Sequence, residues 1–290
     1  MGFLSSYQKG VVWILISAFS FAFLGIFGKF AYRENINLIT LLFLRFTFAS
    51  TILFTYAKLK RLNMGIERKS LITVLFLGGI CYSGQAFGYF QALHYLSVGV
   101  LTLILYTHLV FVAFIAAQFL DEKINRKLVA ALLLALSGVG LIVYSNGGME
   151  VNLTGLAFIL AASLIYSVYI TLSKLTVTSV DPRVMGVYVM FSAACAFFVI
   201  GSSTGELQFA LTLRGLLFSV LIALIPTVIA IVTYFEGLKH VGASRASIIS
   251  TFETVVAITF GFLLLGETLS LTQIGGGILI ILSVLLLERK

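Results

Sequence analysis

The sequence has little charge, few cysteines and few histidines. Only 10% of its 290 residues are charged and 60% are hydrophobic, whereas a soluble domain carries roughly 25% charged residues. This shortage of charge excludes an ordinary soluble protein. The two cysteines, Cys81 and Cys195, lie inside apolar stretches and have no CxxC or cysteine–histidine spacing. We therefore expect no disulfide, no metal site and no cofactor.

Long apolar runs fill nearly the whole chain instead. Crossing a bilayer core of about 30 Å requires about 20 apolar residues in one helix. The runs predict ten transmembrane helices: Val11–Ala31, Leu38–Ala57, Ser70–Gln91, Gly99–Leu120, Lys127–Tyr144, Thr154–Ser173, Pro182–Gly201, Leu213–Phe235, Arg245–Gly266 and Leu271–Leu287. They leave no room for a soluble domain or an ATP-binding module. We expect the first run to remain a membrane helix, because it is too long for a signal-peptide core.

The basic residues predict the orientation. Lysine and arginine favour cytoplasmic loops. With a cytoplasmic N-terminus, 15 of the 19 basic residues lie on the cytoplasmic side, 3 lie outside and Arg45 falls within a span. Both termini are therefore predicted to be cytoplasmic, in the inner membrane of a prokaryotic cell. The net charge of +8 is then a feature of the membrane surface, and nothing favours a nucleic-acid partner.

A repeat with an offset of 145 residues divides the chain. Residues 89–124 align without a gap to residues 234–269, and the same offset pairs Gly10 with Gly155 and Lys29 with Lys174. The repeat predicts two units of five helices, residues 1–146 and 147–290. Because five is odd, the second unit should lie inverted relative to the first. We therefore predict an all-α integral membrane fold of ten transmembrane helices in two inverted repeats, as in alternating-access transporters.

Arg45 lies near the middle of the second predicted span. A guanidinium at that depth costs roughly 2.5–3.5 kcal/mol on insertion scales, so it needs a cavity or a partner. It is a candidate substrate-binding residue, and bonding to backbone carbonyls of a neighbouring helix is an equally open interpretation. Lys29, near the outer end of the first span, is expected to extend its ammonium group to water, with a substrate contact as the alternative.

Tyrosines and one glutamine form polar stripes in two spans. Tyr82, Gln85 and Tyr89 share one face of the third span, at positions i, i+3 and i+7. Their hydroxyl, amide and ring groups suit a small amphipathic or aromatic solute, and simple packing against neighbouring helices is the alternative. Tyr166 and Tyr169 in the sixth span are expected to lie opposite this stripe.

Two titratable residues lie deep in the predicted membrane region. His108 is near the centre of the fourth span, and the repeat offset pairs it with Glu253 in the ninth. An acid at that depth is rare unless it is paired, lines a water path or carries protons. Glu253 is therefore a candidate functional residue, with Arg45 or His108 as its partner. His108 either relays a proton or is a hydrogen-bonded core residue.

One proline and several glycines mark special backbone positions. Pro226 lies well inside the eighth span, where proline removes a backbone hydrogen bond and kinks the helix, so it is a candidate gating hinge. Gly84 and Gly88 form a GxxxG pattern in the third span, suited to close helix approach. The fifth and tenth spans carry glycines and almost no polar side chains. This pair is expected to act as scaffold or as a homodimer contact.

The run Tyr234–Ser247, followed by Glu253 and Leu265–Glu267, resembles the second repeat of EamA-type carriers of the drug/metabolite transporter superfamily. Residues 89–122 resemble a degenerate first repeat, and Arg45 matches an arginine often found in the family's second helix. The resemblance implies that helices 1–4 and 6–9 surround a central cavity while helices 5 and 10 pack peripherally.

Some positions depart from the family pattern or have a separate interpretation. Thr254 and Leu109 stand where these carriers usually have prolines, so no hinge is expected there. Glu122 and Glu267 match a recurring acid of the family. Both lie at predicted helix ends, where an acid favours the positive N-terminus of the next helix. We therefore interpret both as helix caps.

The predicted function is secondary transport by an alternating-access carrier. The resemblance implies small organic metabolites as substrates, and we expect an exporter of amino acids or related solutes that uses a proton or solute gradient. A passive facilitator is the alternative. An intramembrane enzyme is less favoured, because the sequence contains no H-E-x-x-H, G-x-S-x-G or paired-carboxylate pattern.

Overall fold

The computed structural model describes residues 5–119, 126–143, 152–176, 180–241, 246, 249–250 and 252–288. These residues form helices joined by short turns, and no β-strand occurs among them. The all-α prediction is confirmed. The helices are α1 Ser6–Arg33, α2 Leu38–Leu59, α3 Arg68–Ala92, α4 Val98–Leu105, α5 His108–Phe119, α6 Arg126–Val143, α7 Leu153–Thr176, α8 Pro182–Thr204, α9 Leu213–Val241, α10 Phe252–Leu265 and α11 Leu271–Glu288.

Among the described residues, six helices are long and apolar enough to cross a membrane, namely α1, α2, α3, α7, α8 and α9. Shorter apolar helical stretches accompany them at Val98–Val112, Val129–Ile142, Phe252–Leu265 and Leu271–Ser283. Large apolar side chains such as Phe191, Val199 and Phe262 are more than half exposed. Water would disfavour so many exposed apolar groups, whereas lipid accepts them. The chain is therefore an integral membrane protein.

The fourth predicted span, Gly99–Leu120, is not one helix. Helix α4 ends at Leu105 and α5 begins at His108. The Thr107 hydroxyl donates to the Ile104 carbonyl at 2.7 Å, and the neighbouring backbone bonds reach back three residues instead of four. A side-chain hydroxyl that takes a helix carbonyl competes with the regular helix pattern. Leu120, the predicted end, lies outside the described residues.

The ninth predicted span, Arg245–Gly266, is described as a helix from Phe252 onwards. Arg245 lies outside the described residues. The C-terminal limit of the span is confirmed, because α10 ends at Leu265 and Gly266 adopts a φ of +69°. Glycine is the residue that tolerates this left-handed conformation after a helix.

Helices α3 and α9 each contain a π-helical segment, at Leu77–Tyr82 and Leu224–Ile229. At each segment, within it or directly after it, a hydroxyl donates to the carbonyl five residues earlier. Ser83 Oγ reaches the Gly78 carbonyl at 2.9 Å, and Thr227 Oγ1 reaches the Ile222 carbonyl at 2.9 Å. π segments are rare and often mark functional sites.

The two halves of the chain pack closely against each other. Helix α1 packs on α9, α2 on α8, α3 on α7 and α6 on α11. A Cβ atom added to Gly10 would lie 2.6 Å from the Cβ of His240. One added to Gly155 would lie 2.7 Å from the Cβ of Tyr95. Each residue of the first contact is 145 positions from its counterpart in the second, so the repeat offset relates the two contacts.

Glycines bring two further helix pairs into backbone contact. A Cβ atom on Gly88 would lie 3.0 Å from the Phe158 carbonyl oxygen, so the predicted close approach in α3 is present, and it is made to α7. Between α6 and α11, a Cβ on Gly138 would lie 2.6 Å from the Gly276 carbonyl oxygen. The glycines of the predicted scaffold pair therefore hold α6 and α11 together within one chain.

Asp181 caps the start of α8. The Asp181 carboxylate accepts from the Arg183 backbone N–H at 2.8 Å, and Pro182 occupies the first turn. The Arg183 guanidinium also pairs with Asp181 at 2.8 Å. This hydrogen-bonded guanidinium lowers the pKa of the Asp181 carboxyl below its usual value.

Candidate functional site

Arg45 is buried in the middle of α2, with 3% of its surface exposed. Its Nε donates to Thr227 Oγ1 of α9 at 3.0 Å. The guanidinium carbon lies 5.0 Å from the centre of the Phe46 ring and 5.6 Å from that of Phe90. Tyr82 of α3 is close enough to interact electrostatically with the guanidinium. Arg45 is therefore held by one hydroxyl of the second half and by aromatic groups of the first.

A continuous row of rings leads away from Arg45. The Phe46 ring lies 5.7 Å from Tyr82, and Tyr82 lies 5.2 Å from Tyr169 of α7. Tyr169 stacks on Tyr166 with an interplanar angle of 10°, and Tyr166 lies 4.8 Å from His108. The predicted opposition of the third and sixth spans is present, because Tyr82 and Tyr169 are in contact.

His108 and Glu253 lie at the far end of this row, joined by Tyr106. The Tyr106 ring is 6.2 Å from the His108 ring, and its hydroxyl is 3.3 Å from Glu253 Oε2. That hydroxyl also donates to the Ser250 carbonyl at 2.6 Å. His108 Nδ1 lies 2.8 Å from the Leu105 carbonyl. Because a carbonyl only accepts, Nδ1 carries the proton. His108 is therefore hydrogen-bonded in the structure, as one of its two interpretations predicted.

Tyr89 lies between the two ends. It is 4% exposed and close enough to interact electrostatically with both Arg45 and Glu253. Its hydroxyl points towards α1, where a Cβ on Gly25 would lie 3.1 Å from it. Gln85 is also buried, at 8% exposure. The predicted stripe of α3 therefore faces the protein interior.

The row of rings has a group of opposite charge at each end, Arg45 and Glu253. Among the described residues, neither Arg45 nor Glu253 forms an ion pair within 4 Å. The expectation that Arg45 or His108 would neutralise Glu253 is not met in this conformation, where Tyr106 is the side chain that contacts the acid. Buried charges are normally paired or bound to a ligand. An arginine and a glutamate left unpaired in one site can together hold a zwitterion.

Four residues of the site were not predicted, namely Phe46, Phe90, Tyr106 and Thr227. Thr227 follows Pro226 directly, and a hydroxyl beside a mid-helix proline is a readable signal for a bond to the freed carbonyl. Tyr106 is two residues from His108, a spacing that separates side chains on a regular helix. The break between α4 and α5 brings these two rings together. Its cause, the Thr107 hydroxyl, has no strong sequence signature.

Pro226 lies within the π segment of α9. It has no N–H to offer the carbonyl four residues earlier, which belongs to Ile222. The Thr227 hydroxyl takes that carbonyl instead. The proline therefore distorts the helix as predicted, and the freed carbonyl is already bonded.

Lys29 and Glu267 form an ion pair that joins the two halves. The Lys29 ammonium lies 2.7 Å from Glu267 Oε1, and the side chains are 25% and 14% exposed. Glu267 Oε2 accepts from the Val98 backbone N–H at 2.8 Å. The predicted role of Glu267 as a helix cap is therefore correct, but the capped helix is α4 and not the following α11. Lys29 binds this carboxylate instead of extending only to water. Glu122, the other predicted cap, lies outside the described residues.

Two other features bear on ligands. No three histidine, cysteine, aspartate or glutamate side chains of the described part of the chain lie close enough together to hold a metal ion. A groove of about 310 Å³ lies between α5, α6 and α7, and its lining surface is apolar. The groove includes Thr107 and Leu164 but none of the predicted site residues.

Known transporters resemble this chain in sequence, and a solved structure resembles it in fold. The model of the EamA-like transporter family matches residues 8–144 and 153–289. The uncharacterized transporter YcbK of Bacillus subtilis is 28% identical over 285 residues, which cover 92% of this chain and 88% of the relative. An uncharacterized transporter of Clostridium kluyveri is 24% identical over 287 residues, covering 95% and 91%. A solved crystal structure shares the fold with a TM-score of 0.68 and 16% identity, over 96% of both chains.

Proposed function

The chain belongs to the EamA-like transporter family, and from this premise we propose that it is a secondary carrier that exports amino acids or related small solutes. The observation that carries the substrate class is that Arg45 and Glu253, which form no ion pair within the described part of the chain, both interact electrostatically with Tyr89 between them. An amino acid has a carboxylate for the guanidinium and an ammonium for the glutamate. Tyr82, Tyr166 and Tyr169 supply ring faces and hydroxyls between them.

The mechanism we propose is alternating access between two inverted five-helix units, residues 1–146 and 147–290. In its support, the contacts of Gly10 and Gly155 are related by the repeat offset, and both units contain one π segment. The site residues come from both units, since Arg45 belongs to the first and Glu253 to the second. Movement of one unit against the other would therefore open and close the site around the solute.

A proton gradient is the driving force we propose, with Glu253 as the group that binds the proton. Among the described residues, the side chain that contacts Glu253 is Tyr106, and an intramembrane acid in this setting can be neutralised by a proton or by the ammonium group of the solute. The two events are mutually exclusive at one carboxylate, so proton entry would release the solute. His108 is separated from Glu253 by Tyr106 and could pass the proton along this row.

The membrane orientation belongs to the same proposal. We place both termini in the cytoplasm of a prokaryotic cell, on the grounds of the basic residues. A homodimer through α6 and α11 would have to use their outer faces, because Gly138 and Gly276 hold these helices together within one chain. The exposed Leu133 and Ile278 lie on the two helices that would meet such a partner.

The test is counterflow in proteoliposomes that contain the purified protein. Three pools would be offered separately: amino acids, amino-acid amides and the corresponding acids without the amino group. We expect saturable exchange of the amino-acid pool, with the other two pools exchanged more slowly. A pH gradient should drive accumulation by the wild type but not by Glu253→Gln.

The matched control is Glu236→Gln, because Glu236 is an acid of α9 that pairs with Lys239 and lies outside the ring row. This variant should keep gradient-driven accumulation. A passive facilitator would give flux without saturation or counterflow. Exchange of none of the three pools would refute the amino-acid proposal, and equal accumulation by the wild type and Glu253→Gln would refute coupling through this acid.

A further inference from the structure

Thr227 is fully buried, and its hydroxyl connects the Arg45 guanidinium to the backbone carbonyl of Ile222. It accepts from Arg45 Nε at 3.0 Å and donates to the Ile222 carbonyl at 2.9 Å. The direction of both bonds is fixed, because a guanidinium only donates and a carbonyl only accepts. The single hydroxyl proton is therefore committed to Ile222, and the oxygen lone pairs are turned towards Arg45.

This arrangement determines how the guanidinium is presented. Arginine has five N–H groups in a planar fork, and the one on Nε is used by Thr227. The rings of Phe46 and Phe90 lie within cation–π distance of the guanidinium. The two terminal nitrogens remain, and Tyr82 and Tyr89 are close enough to interact electrostatically with the guanidinium. That edge matches a carboxylate, which binds arginine best through two parallel bonds.

We propose that Thr227 is a positioning residue for recognition of the solute carboxylate, and that it acts through Arg45. This inference rests on the proposed amino-acid carrier and adds a residue that determines its specificity. Loss of the hydroxyl would free Arg45 Nε and let the guanidinium rotate out of the orientation that suits two-point binding. Because the same hydroxyl is bonded to the carbonyl freed by Pro226, the orientation of Arg45 is also tied to the π segment of α9.

The experiment compares Thr227→Val, which keeps the shape and loses the hydroxyl, with Thr227→Ser, which keeps the hydroxyl. Counterflow would be measured with the pool of amino acids and with the pool of amino-acid amides. For Thr227→Val we expect the half-saturating concentration of the amino-acid pool to rise about tenfold or more, as for a lost hydrogen bond to a charged group. The value for the amide pool should change less than threefold. Thr227→Ser should stay within about threefold of the wild type for both pools.

Ser83→Ala is the matched control. Ser83 makes the same kind of bond to a carbonyl five residues earlier, at the other π segment, whereas Arg45 bonds Thr227 and not Ser83. This variant should leave the preference for carboxylates over amides unchanged. If Thr227→Val does not fold, Thr227→Ala removes the same hydroxyl from a smaller side chain and replaces it in the comparison.

The outcomes separate the inference from the function on which it rests. If the wild type exchanges amino acids and the valine or alanine variant keeps the wild-type preference, the positioning role is refuted. Equal loss of transport for both pools would indicate a structural role and would also refute it, as would a serine variant that behaves like valine. Absence of amino-acid exchange by the wild type would refute the proposed function itself.

Discussion

The ion pair between Lys29 and Glu267 offers a quantitative test of how the two halves are held together. We consider three variants, Lys29→Met, Glu267→Gln and the double variant. Lys29→Met removes the ammonium and leaves the carboxylate bonded to the Val98 N–H. Glu267→Gln removes the charge and keeps an oxygen that can still accept from Val98. The double-mutant cycle therefore isolates the interaction of the two charges.

The expected size follows from burial. Fully exposed ion pairs contribute about 0–1 kcal/mol, whereas removing one partner of a fully buried pair costs roughly 3–5 kcal/mol. The side chains here are 25% and 14% exposed, with the charges 2.7 Å apart, so the pair lies between these limits. We expect a coupling free energy of about 1–2 kcal/mol. Lys29→Met should be the more damaging single change, because it leaves a partly buried carboxylate without its cation.

The assay is reversible unfolding in mild detergent, followed for the wild type and the three variants. The control is the pair Lys239 and Glu236, which has the same separation of 2.7 Å but a lysine that is 53% exposed. These residues are three positions apart on one helix, so their coupling should be about 0.3 kcal/mol. A Lys29–Glu267 coupling no larger than that of the control pair would refute the reasoning from burial.

Two further predictions concern stability. Gly276→Ala should lower the free energy of unfolding by about 1–3 kcal/mol, because the new Cβ would meet the Gly138 carbonyl in α6. Gly275→Ala should leave the free energy of unfolding unchanged, because that position faces open space. Thermal unfolding of both variants distinguishes the two cases. Arg183 lowers the pKa of Asp181, so the stability from this cap should be fully present above the unfolded pKa of about 3.9 and be lost as pH falls through the lower folded value. Asp181→Asn should flatten that acid dependence in a pH series of unfolding measurements, and an unchanged slope would contradict the assignment.

The predicted arrangement of side chains on helix faces is present where helical periodicity holds. Tyr82, Gln85 and Tyr89 share a face because all three lie at or after the end of the π segment of α3, where the regular 3.6-residue repeat applies. Tyr169 was placed opposite them by its spacing in α7. Burial of a charge was likewise readable from sequence, since Arg45 sits among apolar residues on both sides.

Helical periodicity could not predict which residues contact each other when they are far apart along the chain. The role of Glu267 as a cap was predicted, but the sequence shows only the helix that follows, whereas the carboxylate reaches Val98 at a distance of 169 residues along the chain. The bond from Arg45 to Thr227 spans 182 residues. The break after Leu105 was missed, because no proline or glycine marks it and its cause is a threonine hydroxyl that elsewhere remains compatible with a helix.

The two π segments also have a consequence for ancestry. Their first residues, Leu77 and Leu224, are 147 positions apart, close to the repeat distance of 145, and each segment is bridged by a hydroxyl in the same manner. A π turn accommodates one extra residue, so an insertion at this point was inherited by both halves if they descend from one gene. The single-copy ancestor would then have carried the insertion. Pro226 and the bond from Thr227 to Arg45 would be later additions to one copy, which made two originally equal halves chemically different.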